Sequence, residues 1–77
     1  MNRVTKMRIS DQVAEQLYTL IQQRQLQSGQ RLPAERQLAE ELGVSRTALR
    51  EAIQKLSSRG LLESRVGAGT FVQTPPS

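Results

Sequence analysis

The 77-residue chain has no cysteine and no histidine, and these two absences remove disulfides, most zinc sites, thiol nucleophiles and imidazole acid–base chemistry together. Catalysis would have to rest on carboxylates, lysine, serine or Tyr18 alone, so an enzyme is not expected, nor any cofactor. Aromatic residues are limited to Tyr18 and Phe71, too few for the stacking platforms with which single-strand RNA readers hold unpaired bases. No run approaches the ~18 consecutive apolar residues of a membrane span, and no apolar signal core follows the basic N-terminus. The expectation is a cytoplasmic protein without membrane contact. Internal repeats, low-complexity segments and glycine-rich phosphate loops are also missing.

Positive charge is what the chain does carry. Lysine and arginine number 11 against 7 acidic residues, a formal net charge of +4 and a pI near 10.7, which suits a polyanionic partner. Its distribution is uneven. Residues 1–9 hold Arg3, Lys6 and Arg8 with no acid; residues 10–42 are net acidic; from residue 43 onward Arg46, Arg50, Lys55, Arg59 and Arg65 face only Glu51 and Glu63. A chain this short forms one small domain, burying about 60% of the surface its unfolded form exposes and leaving little room for an enclosed catalytic cavity.

Periodicity divides the chain into three helices and a hairpin. From Ser10 to about Gln25, the residues Val13, Leu17, Leu20 and Ile21, with Ala14 beside them, form one apolar stripe. Ser10 is the expected N-cap and Asp11 complements the helix dipole. A second helix is expected with Pro33 in its first turn, Glu35 near its positive end and Gly43 as a left-handed C-terminal cap. Ala34 is a poor cap, so packing must fix where that helix starts. A third helix opens at the N-cap Ser45 and buries Leu49, Ala52, Ile53 and Leu56. Its opposite face is Thr47, Arg50, Glu51, Gln54 and Ser58, with Arg46 on the flank of the first turn. Gly60 ends it. Residues 61–66 and 70–73 then read as two short strands around Gly67-Ala68-Gly69, and Thr74-Pro75-Pro76-Ser77 as the start of an extended linker.

The fold class expected is mainly α with a small β-hairpin, a winged helix-turn-helix of three helices and a two-stranded wing. Leu32-Pro33-Ala34-Glu35-Arg36-Gln37-Leu38-Ala39, followed by residues 43–52, Gly-Val-Ser-Arg-Thr-Ala-Leu-Arg-Glu-Ala, resembles the signature of the GntR family of bacterial transcription regulators, and the FadR-type subgroup within it. The likeness runs from Ser10 to Gln73. Small Ala39 sits where the two helices cross, and Leu38, Leu42, Val44, Leu49 and Ala52 take the packing positions. Ala34 departs from the serine common in the family.

The resemblance implies a basic N-terminal arm over residues 1–9, a winged helix-turn-helix DNA-binding domain over 10–73 (helix-turn-helix 35–54, wing 61–73), and, over 74–77, the start of a linker to a C-terminal effector domain that this sequence lacks. It also implies a pseudo-palindromic double-stranded DNA operator, a homodimer formed through that absent domain, and a small carboxylate-type effector bound outside residues 1–77. Repression is the expected outcome for such a regulator.

The residue types fit groove recognition on physical grounds. Arg46 and Arg50 can each fork to the O6 and N7 acceptors of a guanine or grip a phosphate. Ser45 and Thr47 place hydroxyls beside the free N–H groups of a helix N-terminus, where phosphate is favoured; capping alone also accounts for Ser45. Arg36 is placed to reach DNA beside the third helix, or to pair with Glu40 one turn on. Gly67 leaves main-chain N–H groups at the wing tip open to a phosphate or the minor groove, or simply permits a tight turn. Weaker candidates are Ala48, Lys55, Arg65, Val66, Ala68 and Gly69. A winged-helix protein-interaction module would need an apolar outer face on the third helix, and an RNA-binding module would need aromatics.

Overall fold

The computed structural model describes residues 9–73, so the basic arm with Arg3, Lys6 and Arg8, and the linker 74–77, lie outside the described residues. The elements are α1 (Ile9–Gln23), α2 (Glu35–Leu42), α3 (Arg46–Ser58), β1 (Leu62–Arg65) and β2 (Gly69–Val72). This is the winged helix expected from the periodicity.

The apolar stripes meet in one core. Val13, Ala14, Leu17 and Ile21 of α1 pack with Leu38 and Ala39 of α2, with Leu49, Ala52, Ile53 and Leu56 of α3, and with Leu32, Leu62 and Val72 from the loop and wing. Leu42 and Val44 are partly buried against the same cluster. At ~25 cal/mol per Å² of apolar surface removed from water, these side chains supply the main driving force for folding. Ser10 departs from its expected role, because α1 has already begun at Ile9 and Ser10 is buried inside its first turn.

All three helices close alike. At the end of α1 the Leu26 amide donates to the Ile21 carbonyl (3.0 Å) and the Gln25 amide to that of Gln22 (3.0 Å), with Gln25 left-handed at φ 55°. After α2 the Val44 amide reaches Ala39 (3.0 Å) around Gly43 at φ 70°. After α3 the Leu61 amide reaches Leu56 (2.9 Å) around Gly60. This pattern satisfies orphan carbonyls and requires a left-handed residue, and a glycine there carries no Cβ penalty. Gln25 accepts the strain because its position brings Leu26 back onto the core.

The starts differ. Ser45 is extended (φ −73°, ψ 158°), and its side chain accepts from the Ala48 amide at 3.0 Å. Ala34 has a similar backbone (φ −58°, ψ 149°) and no capping side-chain bond. Pro33 is therefore not in the first turn of α2, contrary to expectation: extended Ala34 delays the helix to Glu35.

β1 and β2 pair antiparallel in the register Leu62↔Val72, Glu63↔Phe71, Ser64↔Thr70, Arg65↔Gly69. Each strand is one residue out from the sequence-based bounds, and Gly69 belongs to β2 rather than to the tip. The loop between α1 and α2 also lines the free edge of β2. The Gly29 amide donates to Val72 (2.8 Å), Val72 to Gln30 (2.8 Å) and Leu32 to Thr70 (2.8 Å), with an isolated bridge between Arg31 and Phe71. β2 is thus covered on both sides, and the wing is stitched to the segment that leads into α2.

Candidate nucleic-acid interface

The N-terminal end of α3 is the most organised polar surface among the described residues. Ser45 satisfies one of the four amides that a helix start leaves without intrahelical partners, and its carbonyl accepts from Leu49 at 3.0 Å. Arg46 and Thr47 are exposed beside that end, whereas Ala48 turns inward and packs partly buried on the core. One turn further, Arg50 is exposed, and so are Glu51, Gln54 and Ser58 along the same outer face. The Leu49, Ala52, Ile53 and Leu56 stripe beneath fixes this orientation.

Glu35 joins the two arginines. Arg50 donates through Nε to Glu35 Oε1 at 3.1 Å, and Arg46 Nη2 lies 3.9 Å from the same oxygen. Along the chain Glu35 is expected only to complement the helix dipole. Its partner is 15 positions away, so nothing along the chain announces the pairing; the sole clue is that a helix-turn-helix crosses its first turns. Arg36, beside it, is exposed and forms no ion pair among the described residues, and the alternative pairing with Glu40 is not made.

The wing tip is bare. Val66, Gly67 and Ala68 are all exposed, the turn closed by the Ala68 amide donating to the Arg65 carbonyl at 3.0 Å. Arg65 projects on the outward face of the hairpin, where Glu63 Oε1 accepts from its Nε (3.1 Å) and Nη2 (2.9 Å) and the Phe71 ring lies 4.5 Å beneath its guanidinium. At the tip end of β2 Arg31 crosses Gly69, the partner of Arg65, so closely that a Cβ there would stand 2.6 Å from Arg31 Nε. Arg31 is a cation to which the sequence assigns no role. It lines one hollow with Pro33, Glu35, Ile53 and Gly69, so the tip end of β2 adjoins the glutamate that holds the α3 arginines.

Lys55 is not part of this surface. Its Nζ lies 2.9 Å from Asp11 Oδ1, tying α3 to the start of α1. Arg24 and Glu41 form a similar tie between the end of α1 and α2. No helix among the described residues is long and apolar enough to cross a membrane, and no group of three or more acidic side chains among them could hold a metal ion.

A model of the family described as "Bacterial regulatory proteins, gntR family" matches residues 9–72. Over 66 residues the chain is 56% identical to a protein of Escherichia coli (strain K12) described as an L-lactate dehydrogenase operon regulatory protein, covering 86% of this chain and 26% of that one. Among solved structures it is similar to Streptococcus agalactiae GntR, with a TM-score of 0.82 and 42% identity over 84% of this chain and 31% of that one. It is also similar to the AraR DBD solved in complex with operator ORR3, with a TM-score of 0.75 and 38% identity over 94% of this chain and 87% of that one. The chain spans about a quarter of the length of the E. coli relative.

Proposed function

This chain belongs to the gntR family of bacterial regulatory proteins, and from that premise we infer that residues 9–73 bind double-stranded DNA sequence-specifically for a transcription regulator, with α3 in the major groove and the wing tip at the minor groove. It is a binding module, not an enzyme. The observation that carries the reading is the exposed, capped start of α3, where Arg46 and Arg50 stand together on one face. A groove about 12 Å wide admits a helix, and long forked donors on its leading face reach base edges there.

The roles divide by geometry. Arg50 and Arg46 serve as the base-reading and phosphate-gripping arginines, Thr47 and the α3 amides as phosphate donors, and Arg36, which forms no ion pair among the described residues, as a backbone anchor. Gly67, between Val66 and Ala68, offers main-chain amides at the wing tip. Arg65, held against Glu63 and Phe71, supports the wing. Lys55 serves stability through Asp11.

The longer protein of which this is the reader is inferred to be a cytoplasmic, FadR-type homodimer whose further domain binds a small carboxylate effector and which represses by occupying its operator. The E. coli relative, described as regulating an L-lactate dehydrogenase operon, supports a carboxylate signal. One domain reads one half-site, so dimerisation raises affinity by linking two weak contacts. Selection of bound duplexes from a random pool tests the reading. An enriched motif that recurs as an inverted repeat supports it, and recovery of unenriched sequence overturns it.

A further inference from the structure

We propose that Glu35 is a positioning residue for base recognition, a clamp that presents the Arg50 guanidinium end-on to a guanine; this rests on the DNA-binding reading above. The two contacts of Glu35 are unequal. Arg50 donates its Nε at hydrogen-bonding distance, 3.1 Å, while Arg46 comes only to 3.9 Å of the same oxygen. A guanidinium has five N–H donors in a fixed plane. Engaging Nε from one side leaves both terminal nitrogens free and sets the plane in which they point. Those terminal nitrogens form the fork that matches guanine O6 and N7.

The surroundings make the clamp stiff. Glu35 is the first residue of α2, where its charge also complements the helix dipole. Its side chain is two-thirds screened from solvent, at 33% exposure against 65% for that of Arg50. α2 is packed on α3 through Leu38, Ala39, Leu49 and Ala52. A charge-assisted bond between two elements held by the core restricts an arginine side chain that otherwise loses its rotamer freedom on docking. The same carboxylate disfavours phosphate close to Arg50, so the arginine is kept for a base edge rather than for indiscriminate backbone binding.

Arg46 follows as the freer partner. At 61% exposure and 3.9 Å from the oxygen, it can leave Glu35 and grip a phosphate, where it contributes affinity more than discrimination.

The experiment uses the 77-residue chain, the duplex that the wild-type chain enriches from a random pool, a second duplex with its guanine contact changed to adenine, and a scrambled duplex. Anisotropy titrations are made with wild type, Glu35→Ala, Glu35→Gln and Arg50→Ala, each checked for an unchanged far-ultraviolet dichroism spectrum. In Glu35→Ala we expect affinity for the enriched duplex to fall about tenfold and affinity for the scrambled duplex to rise about twofold. Glu35→Gln, which keeps an acceptor without the charge, lies between. Opposite movement of the two affinities separates positioning from simple loss of fold, which lowers both. Adding Glu35→Ala to Arg50→Ala should not change guanine preference further. Unchanged guanine preference in Glu35→Ala, with wild type still selective, overturns the clamp alone. A wild-type chain without preference overturns the DNA-reading premise and the clamp with it. An effect of Glu35→Ala that persists undiminished without Arg50 also overturns it.

Discussion

Glu63 of the wing and Glu35 of α2 each hold an arginine on an outward surface of this molecule, and they do so by different routes. Glu63 holds Arg65 from two positions back in the same strand, with Phe71 of the paired strand beneath; that latch is complete as soon as the hairpin closes. Glu35 holds Arg50 across 15 positions and from another helix, so it exists only once α2 and α3 have docked. The wing's cation is held by a local device and that of α3 by a tertiary one. Disturbing the core should therefore disarm α3 while leaving the Arg65 latch its own partners.

The largest effect is expected at the core beneath α3. Leu49 is 0% exposed, and Leu49→Ala should cost about 2–5 kcal/mol in urea or thermal unfolding, a large share of the stability of so small a domain. A cost below ~1 kcal/mol would break the comparison, since α3 would then not depend on that packing.

Next in size is the side chain proposed to read a base. Arg50→Ala should cost about 1–3 kcal/mol of binding to the preferred duplex and relax base preference at one position, measured by anisotropy across single-base variants. An equal loss on every sequence would show a phosphate contact instead. Smaller again are the helix starts. Ser45→Ala should destabilise the fold by ~1 kcal/mol, and Ala34→Ser should stabilise it by several tenths to ~1 kcal/mol, because Ala34 already has the extended backbone of a capping residue and lacks only the oxygen. Paired chemical-denaturation curves check both signs.

The smallest effect is expected on the wing. Arg65→Ala removes an exposed pair and a cation–π contact, together about 1 kcal/mol or less. If its effect on unfolding matched that of Leu49→Ala, the wing latch would not be local.

What was legible along the chain was whatever physics acts within a few residues. The α1 and α3 stripes follow from helical periodicity, and Val13, Leu17, Ile21, Leu49, Ala52, Ile53 and Leu56 are all buried as read. Ser45 and Gly43 were legible because a cap needs an oxygen or a left-handed residue within one turn. Pro33 was misplaced because a proline suits both the first helical turn and the extended approach to it, and the backbone of Ala34 decides between them. Ser10 was misread as a cap because α1 starts earlier, at Ile9.

The remainder needed distant partners. The pairing of residues 29–32 with β2, the crossing of Arg31 over Gly69, the tie between Lys55 and Asp11 and the joining of Arg46 and Arg50 by Glu35 each bring together residues on different elements, more than ten positions apart. Charge composition marked the basic half of the chain but could not say which cations were already engaged. Lys55, Arg65 and Arg50 look alike in sequence. Their neighbours make one a brace between helices, tie one to Glu63 and Phe71 on the wing, and hold one against Glu35 on α2.

The sequence by itself determined the three helices, the glycine-tipped hairpin, the buried stripes and the polar outer face of α3, because periodicity, capping and turn chemistry act over short separations. Only the tertiary structure decided how the reading surface is assembled. Docking of α2 on α3 brings Glu35 to Arg50, and the edge of β2 draws Arg31 across Gly69. Coulomb attraction and hydrogen bonding act on distances in space, and it is the closed core that sets those distances.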